Sequence, residues 1–303
     1  YEARHILSVL EGYGEGHATL YRGGGAKAEV ELACLDPAES LDQALDLEGA
    51  AIFFSATLGP AEYYSRMFGF RNTDCRLSMD SSFPPENLGL FVSPVSTLYR
   101  NRERTGKQVA EALLAQFSAR PGRYLFFFPS YAYLRLIHDT FQYLAPYVPT
   151  LAQDRNMGER ERERFLKAFD VHPESASDQS LAGFAVLGGV FGEGIDLVGE
   201  RLHGAAIVGV GLPPPSQRLD LIREHFSLMD EPGYHYVYTY PGLTKVLQAA
   251  GRVIRTEKDR GTLLLIDERW SRRDYQQLMP RHWQPRFVQD INEIEQELET
   301  FWR

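Results

Sequence analysis

The chain has 303 residues, 44% of them hydrophobic and 24% charged, which is enough apolar material for about two domains or one large domain with attachments. Only Cys34 and Cys75 are present, far apart, which excludes a disulfide framework and a cysteine-based zinc site and fits a reducing, cytoplasmic setting. A formal net charge of −9 excludes a general polyanion-binding surface, so any nucleic-acid contact must follow a local track on an acidic body.

No run approaches the roughly 18 apolar residues of a membrane span, and the opening YEARHILSVLEGYGEGH lacks the layout of a signal peptide. The expectation is a chain with no membrane partner. Along it, Tyr1 to Phe70 forms one segment, with glycines at Gly23 to Gly25, a strand at Ala28 to Cys34, a helix near Ser40 to Asp46, and a strand from Ala51 to Phe54 ending at Ser55. The polar stretch from Arg71, closed by Pro84 and Pro85, reads as a linker over residues 71–86.

From Asn87 onward, short apolar runs rich in β-formers alternate with amphipathic stretches. Strands are predicted at Gly89 to Val92, Tyr124 to Phe128, Phe184 to Leu187, Ala205 to Val210 and Thr262 to Ile266. Helices are predicted at Arg102 to Phe117, Tyr131 to Leu144, Gly158 to Phe169, Gln217 to Leu228 and Pro241 to Arg255, with a helical tail from Asp274 to Arg303. This order implies an α/β domain over residues 87–303: a parallel sheet flanked by helices on both faces, preceded by a segment of another domain.

Four motifs fall where such sheets bind ligands, at the carboxyl ends of strands. AIFFSATLG, Ala51 to Gly59, breaks a buried strand into small hydroxyl residues, Ser55, Ala56 and Thr57, which either relay hydrogen bonds or cap a helix before Pro60. RYLFFFPSY, Arg123 to Tyr131, stops its strand at Pro129 and lets Ser130 cap the next helix, leaving backbone amides for an anion. Tyr131 then either stacks on a base or packs into the sheet.

GGVFGEGIDLVGE, Gly188 to Glu200, sets glycines around Glu193 and Asp196, and so describes either a tight loop bringing backbone to a ligand or a turn with solvated acids. It is not a phosphate-binding P-loop, because no lysine follows the glycines. QAAGRVIRT, Gln248 to Thr256, is the most informative stretch. On a helix, Gln248, Arg252 and Arg255 lie within about 60° of each other, and Gly251 allows another backbone to come close. Two planar guanidinium forks aimed together suit the spreading charge of a phosphoryl-transfer transition state, whereas the bland alternative is a solvated basic helix end. The basic stretches Arg100 to Lys107 and Arg155 to Phe165 are interleaved with glutamates and read as solvated faces. His203, His225 and His235 lack metal-ligand spacing, so no metal site is expected.

Together these motifs resemble the carboxyl-terminal part of superfamily-two helicases of the DinG/XPD group, from about Asp46 to Asp267. SATL (Ser55 to Leu58) is similar to motif III of that group, FFPSY (Phe127 to Tyr131) to motif IV, GEGIDL (Gly192 to Leu197) to motif V and QAAGRVIR (Gln248 to Arg255) to motif VI. The resemblance implies a second RecA-like motor domain over residues 87–303, with residues 1–70 as the last part of the first. In such helicases ATP with Mg2+ sits between the two motor domains.

The resemblance assigns catalysis to Arg252 and Arg255, with Gln248 orienting them, and nucleotide contact to Gly192, Glu193, Gly194, Asp196 and Gly251. Ser55, Ala56 and Thr57 would couple the domains, and Pro129, Ser130 and Tyr131 would hold single-stranded DNA. The sequence departs from the group in having no G-x-x-x-x-G-K-[ST] and no D-E-A-H box, and it lacks the four cysteines that ligate an iron–sulfur cluster in many members. All these elements precede SAT in the group, so the expectation is a truncated chain. ATP binding, magnesium and any iron–sulfur cluster then depend on the missing first RecA-like domain, and the isolated chain should be inactive. An RNA-directed or remodelling ATPase of the same superfamily, or a catalytically silent nucleotide- or protein-binding module, are the alternatives.

Overall fold

The computed structural model describes residues 10, 12–24, 28–48, 50–71, 73–170, 180–192, 197 and 199–303. In chain order these form β1 (His17–Arg22), β2 (Glu29–Cys34), α1 (Ala38–Glu48), α2 (Ala61–Met67), β3 (Leu88–Ser93), α3 (Arg102–Ala119), β4 (Arg123–Phe128), α4 (Tyr131–Leu144) and β5 (Thr150–Ala152). There follow α5 (Glu159–Lys167), β6 (Leu181–Val186), β7 (Gly204–Val208), α6 (Gln217–Leu228), α7 (Tyr240–Ala250), β8 (Gly261–Ile266), α8 (Arg273–Gln276), β9 (Arg286–Phe287) and α9 (Ile291–Trp302).

The chain divides into two compact units, residues 1–78 with 213–241, and residues 79–212 with 242–303. Residues 213–241, which the sequence reading counts within the second domain, therefore group with the amino-terminal segment.

In the first unit β1 and β2 pair antiparallel, and Leu20, Ala33 and Leu35 on them pack with Leu221 and Ile222 of α6. The β1 strand has no counterpart in the sequence reading. Asp36, just past β2, accepts from both terminal nitrogens of Arg66 and lies 3.6 Å from His225, so one carboxylate ties together β2, α2 and α6. Tyr63 packs edge-on against Tyr236 with ring centroids 5.1 Å apart, and burial pushes its hydroxyl pKa up to about 12.

The second unit is built on a seven-stranded sheet in the order β5-β6-β4-β7-β8-β3-β9, every pair parallel. The α/β expectation is met, and β4 shows why. Its Tyr124, Phe126 and Phe128 go to the face covered by α3, α4 and α9, while Leu125 and Phe127 go to the face covered by α5 and α7. A strand buried on both faces must be apolar throughout, which is how RYLFFF reads. A pair of polar side chains enters this core: Gln116 of α3, fully buried, donates to Ala205 O and to Oγ1 of the buried Thr262, each at 3.0 Å.

Three predicted elements are corrected. The tail expected to be helical from Asp274 to Arg303 carries β9 between α8 and α9, and β9 pairs with β3. Residues 51–54 form no strand. Ile52 and Phe54 are 88% and 89% exposed, while Phe53 between them stacks on Phe68 with centroids 4.5 Å apart. The segment keeps a strand's alternation but lacks a neighbouring strand among the described residues to bond with. The helix predicted to reach Arg255 ends at Ala250, and Gly251, Arg252 and Val253 continue as a turn. Asp259 ends it by accepting from the amides of Arg255 and Thr256 at 2.8 and 2.7 Å, an alternative to further helical bonding. Among the described residues no helix is long and apolar enough to cross a membrane.

Candidate active site

Because all strands of the sheet run the same way, their carboxyl ends share one edge, and the chain reverses there through short polar loops. After β4, Ser130 takes an extended backbone and its hydroxyl accepts from Tyr133 N at 3.3 Å, starting α4. Tyr131, in the first turn, is half-buried, and its hydroxyl accepts from Gln153 Nε2 at 3.1 Å. Gln153 follows β5, is 6% exposed, and its Oε1 accepts from Val186 N at 2.8 Å. Arg155 lies over the Tyr131 ring, 5.8 Å from its centroid, and Arg135, also on α4, pairs with Asp154 at 2.9 Å.

After β6 the loop folds back on itself through Gly189 N to Val186 O at 3.2 Å and Gly192 N to Gly189 O at 2.8 Å. Phe191 anchors it, fully buried and stacked on Phe165 of α5 at 4.2 Å. Gly188 has φ 71°, and a Cβ there would meet the Lys245 side chain at 2.9 Å, so the loop lies directly against α7. From the turn after α7, half-buried Arg252 donates through Nη2 to Gly192 O at 3.4 Å. Arg252 and the glycine loop after β6 thus meet at this edge.

Between β3 and β8 the fully buried Asp267 accepts from Arg269 Nε and Nη2, both at 2.7 Å, and from Thr97 Oγ1. Nearby, Arg102 lies 4.4 Å from the centroid of the Tyr133 ring, and burial pulls its pKa below the ordinary arginine value.

A family model for the helicase C-terminal domain matches residues 113–286. The chain belongs to this family. It is a C-terminal helicase domain of the XPD/DinG type. The ATP-dependent DNA helicase XPD of Sulfolobus acidocaldarius is 25% identical over 241 residues, 75% of this chain and 40% of that protein. The ATP-dependent DNA helicase YoaA of Haemophilus influenzae is 24% identical over 265 residues, 86% of this chain and 39% of that protein. A solved structure titled XPD helicase superposes with a TM-score of 0.66 at 20% identity, covering 93% of this chain and 50% of that one, a likeness of fold. The chain thus spans 40% or less of the curated relatives named here.

Within this helicase domain the predicted site residues separate. Gly192 and Arg252 are brought together, and Tyr131 reaches the same edge through Gln153. Gln248 is half-buried on the last turn of α7, whereas Arg255 is exposed beyond the helix, so the three do not share one helical face. Among the described residues Gly251 receives no backbone from beyond its own turn: a Cβ there would meet Leu247 O at 3.3 Å. The close approach occurs instead at Gly242, where a Cβ would lie 2.7 Å from Val210 O, opposite Gly211.

Glu193, Gly194 and Asp196 lie outside the described residues. Ser55, Ala56 and Thr57 fall in the other unit, where Ser55 Oγ accepts from Thr57 N at 3.2 Å. Pro129 packs beside Gly209, its Cγ 3.9 Å from where a Cβ would sit. Sequence reasoning missed Gln153, Asp267 and Arg269. Asp267 carried a signal, as the first polar residue after the run Leu263 to Ile266; Gln153 follows a strand of three residues, too short for periodicity to reveal.

Proposed function

We propose that this chain is the second motor domain of an ATP-dependent DNA helicase and supplies arginine charge to ATP held by a preceding RecA-like domain. The reading is carried by one observation, the hydrogen bond from Arg252 to Gly192 O, which fixes a guanidinium at the carboxyl edge of a parallel sheet beside a glycine loop. Such a fork stabilises the charge that spreads over the equatorial oxygens of a transferring phosphoryl group. Arg255 is the second candidate donor, with Gln248 orienting the pair. Gly192, Glu193, Gly194, Asp196 and Gly251 would line the nucleotide's side of the domain.

This chain has no lysine-bearing phosphate loop, and no three acidic, histidine or cysteine side chains converge on a metal position among its described residues. Grip on the β- and γ-phosphates and on magnesium would belong to the preceding domain, as would any iron–sulfur cluster. Pro129, Ser130 and Tyr131, with Arg155 over the ring, would hold single-stranded nucleic acid by phosphate contact and ring stacking. DNA is the preferred strand because the relatives above are named DNA helicases. Ser55, Ala56 and Thr57 would couple the motor domains. The exposed alternation at Ile52 and Phe54 fits a strand whose sheet belongs to that first domain.

The test is DNA-stimulated ATP turnover of the full-length protein. Arg252→Ala should lower kcat about 10³-fold, with a far smaller loss of ATP affinity, and Arg252→Lys should rescue poorly. A folded Arg252→Ala protein turning over ATP at the wild-type rate would overturn the assignment.

A further inference from the structure

The carboxyl edge holds an unbroken run of hydrogen bonds joining the aromatic at the start of α4 to the arginine after α7. Gln153 Nε2 donates to Tyr131 Oη at 3.1 Å, and Val186 N donates to Gln153 Oε1 at 2.8 Å. Gly189 N donates to Val186 O at 3.2 Å, Gly192 N to Gly189 O at 2.8 Å, and Arg252 Nη2 to Gly192 O at 3.4 Å. Apart from Gln153, Tyr131 and Arg252, every link is backbone.

We infer that Gln153 is a positioning residue, which couples occupancy of the nucleic-acid site at Tyr131 to the placement of Arg252 for ATP hydrolysis; this rests on the function proposed above. Three features make Gln153 the controlling link. Its amide is the one side chain that both fixes the Tyr131 hydroxyl and takes the last amide of β6, while its own backbone N donates to Phe184 O at 2.8 Å. It is 6% exposed, so loss of either bond leaves a buried amide atom without that partner. The loop it steadies is short, closed by two turns and pinned by Phe191 and Lys245, so a shift at Val186 passes along the backbone to Gly192 with little to absorb it.

Adjacency alone does not establish coupling, and a double-mutant cycle is the decisive measurement. In the full-length protein, Tyr131→Phe removes only the hydroxyl and leaves the ring to stack, whereas Gln153→Leu removes both amide contacts. The readout is the ratio of ATP turnover at saturating single-stranded oligonucleotide to turnover without it, beside oligonucleotide affinity by anisotropy. Each single variant should lower the ratio about tenfold, the scale of a lost hydrogen bond with a buried partner, and affinity should fall less. The double variant should be no worse than the poorer single.

Full stimulation in Tyr131→Phe, or losses that multiply in the double variant, would overturn the inference. If Gln153→Leu fails to fold, Tyr131→Phe alone decides it. Arg252→Ala, measured alongside, separates the two readings: loss of turnover there with an intact Tyr131→Phe ratio defeats the coupling and leaves the motor assignment standing.

Discussion

Asp259 accepts from the backbone amide of Arg255 at 2.8 Å, and through that bond Arg255 is set apart from Arg252. Arg252 is held to the glycine loop by its side chain, whereas the backbone of Arg255 is fixed by a carboxylate four residues on. The side chain of one and the backbone of the other are thus held by different groups. Asp259→Ala should lower DNA-stimulated ATP turnover of the full-length protein about tenfold or more by loosening Arg255. The accompanying loss of stability should be about 1 kcal/mol, as for a lost helix cap. Asp259→Asn, which keeps an acceptor oxygen, should retain most activity, and steady-state kinetics with thermal melts would check both.

The glycines at the edge differ sharply in their tolerance of a side chain. Gly211 has φ 72°, and a Cβ on it would lie 2.4 Å from Gly242 O, so Gly211→Ala should destabilise the fold by about 3 kcal/mol or more. Gly251→Ala should change stability by less than about 1 kcal/mol, because that glycine is exposed and ends its helix. Denaturant melts of the two variants should differ in midpoint accordingly. Equal midpoints would contradict the close approach at Gly211 and Gly242.

Stability should fall as the solution is acidified below about pH 6.5, the ordinary histidine value. Burial lowers the pKa of His138, His203 and His282. The unfolded chain therefore binds protons first as pH falls, and stability is full above that value and declines toward the depressed folded pKa. His203 contributes because its neutral ring accepts from Arg123 N at 3.2 Å, with the cations Arg120 and Arg123 nearby. His203→Gln should flatten the decline between pH 7 and 5, measured by guanidinium melts.

Ile52 and Phe54 project into solvent, while Phe53 stacks on Phe68. In the isolated chain, Ile52→Thr with Phe54→Ser should reduce self-association in sedimentation velocity and shift stability by less than about 0.5 kcal/mol. Phe53→Ala should instead lower the stability of the amino-terminal unit. The opposite pattern would mean that the alternation at this segment is wrongly placed.

Most of the sheet was readable because strands buried on both faces must be apolar, and RYLFFF or TLLLI admits little else. Helices α4 and α6 begin and end at the predicted residues, where Ser130 and Ser216 supply local caps. What failed to show was non-local. Ala51 to Phe54 has a strand's composition but no strand to pair with among the described residues. The grouping of residues 213–241 with the first unit depends on packing of Leu221 and Ile222 against Leu20, which no local pattern announces. Gly242 on α7 admits a neighbouring backbone closely, unlike Gly251, because that property belongs to what lies opposite. Gln153 was invisible for the same reason, since its partners stand 22 and 33 residues away in sequence.

The sheet stops on very short strands, three residues at β5 on one side and two at β9 on the other. Neither offers a row of free amides and carbonyls long enough to template a strand from another molecule. The seven-stranded sheet is thereby guarded at both ends against edge-to-edge pairing with a second copy of the same domain.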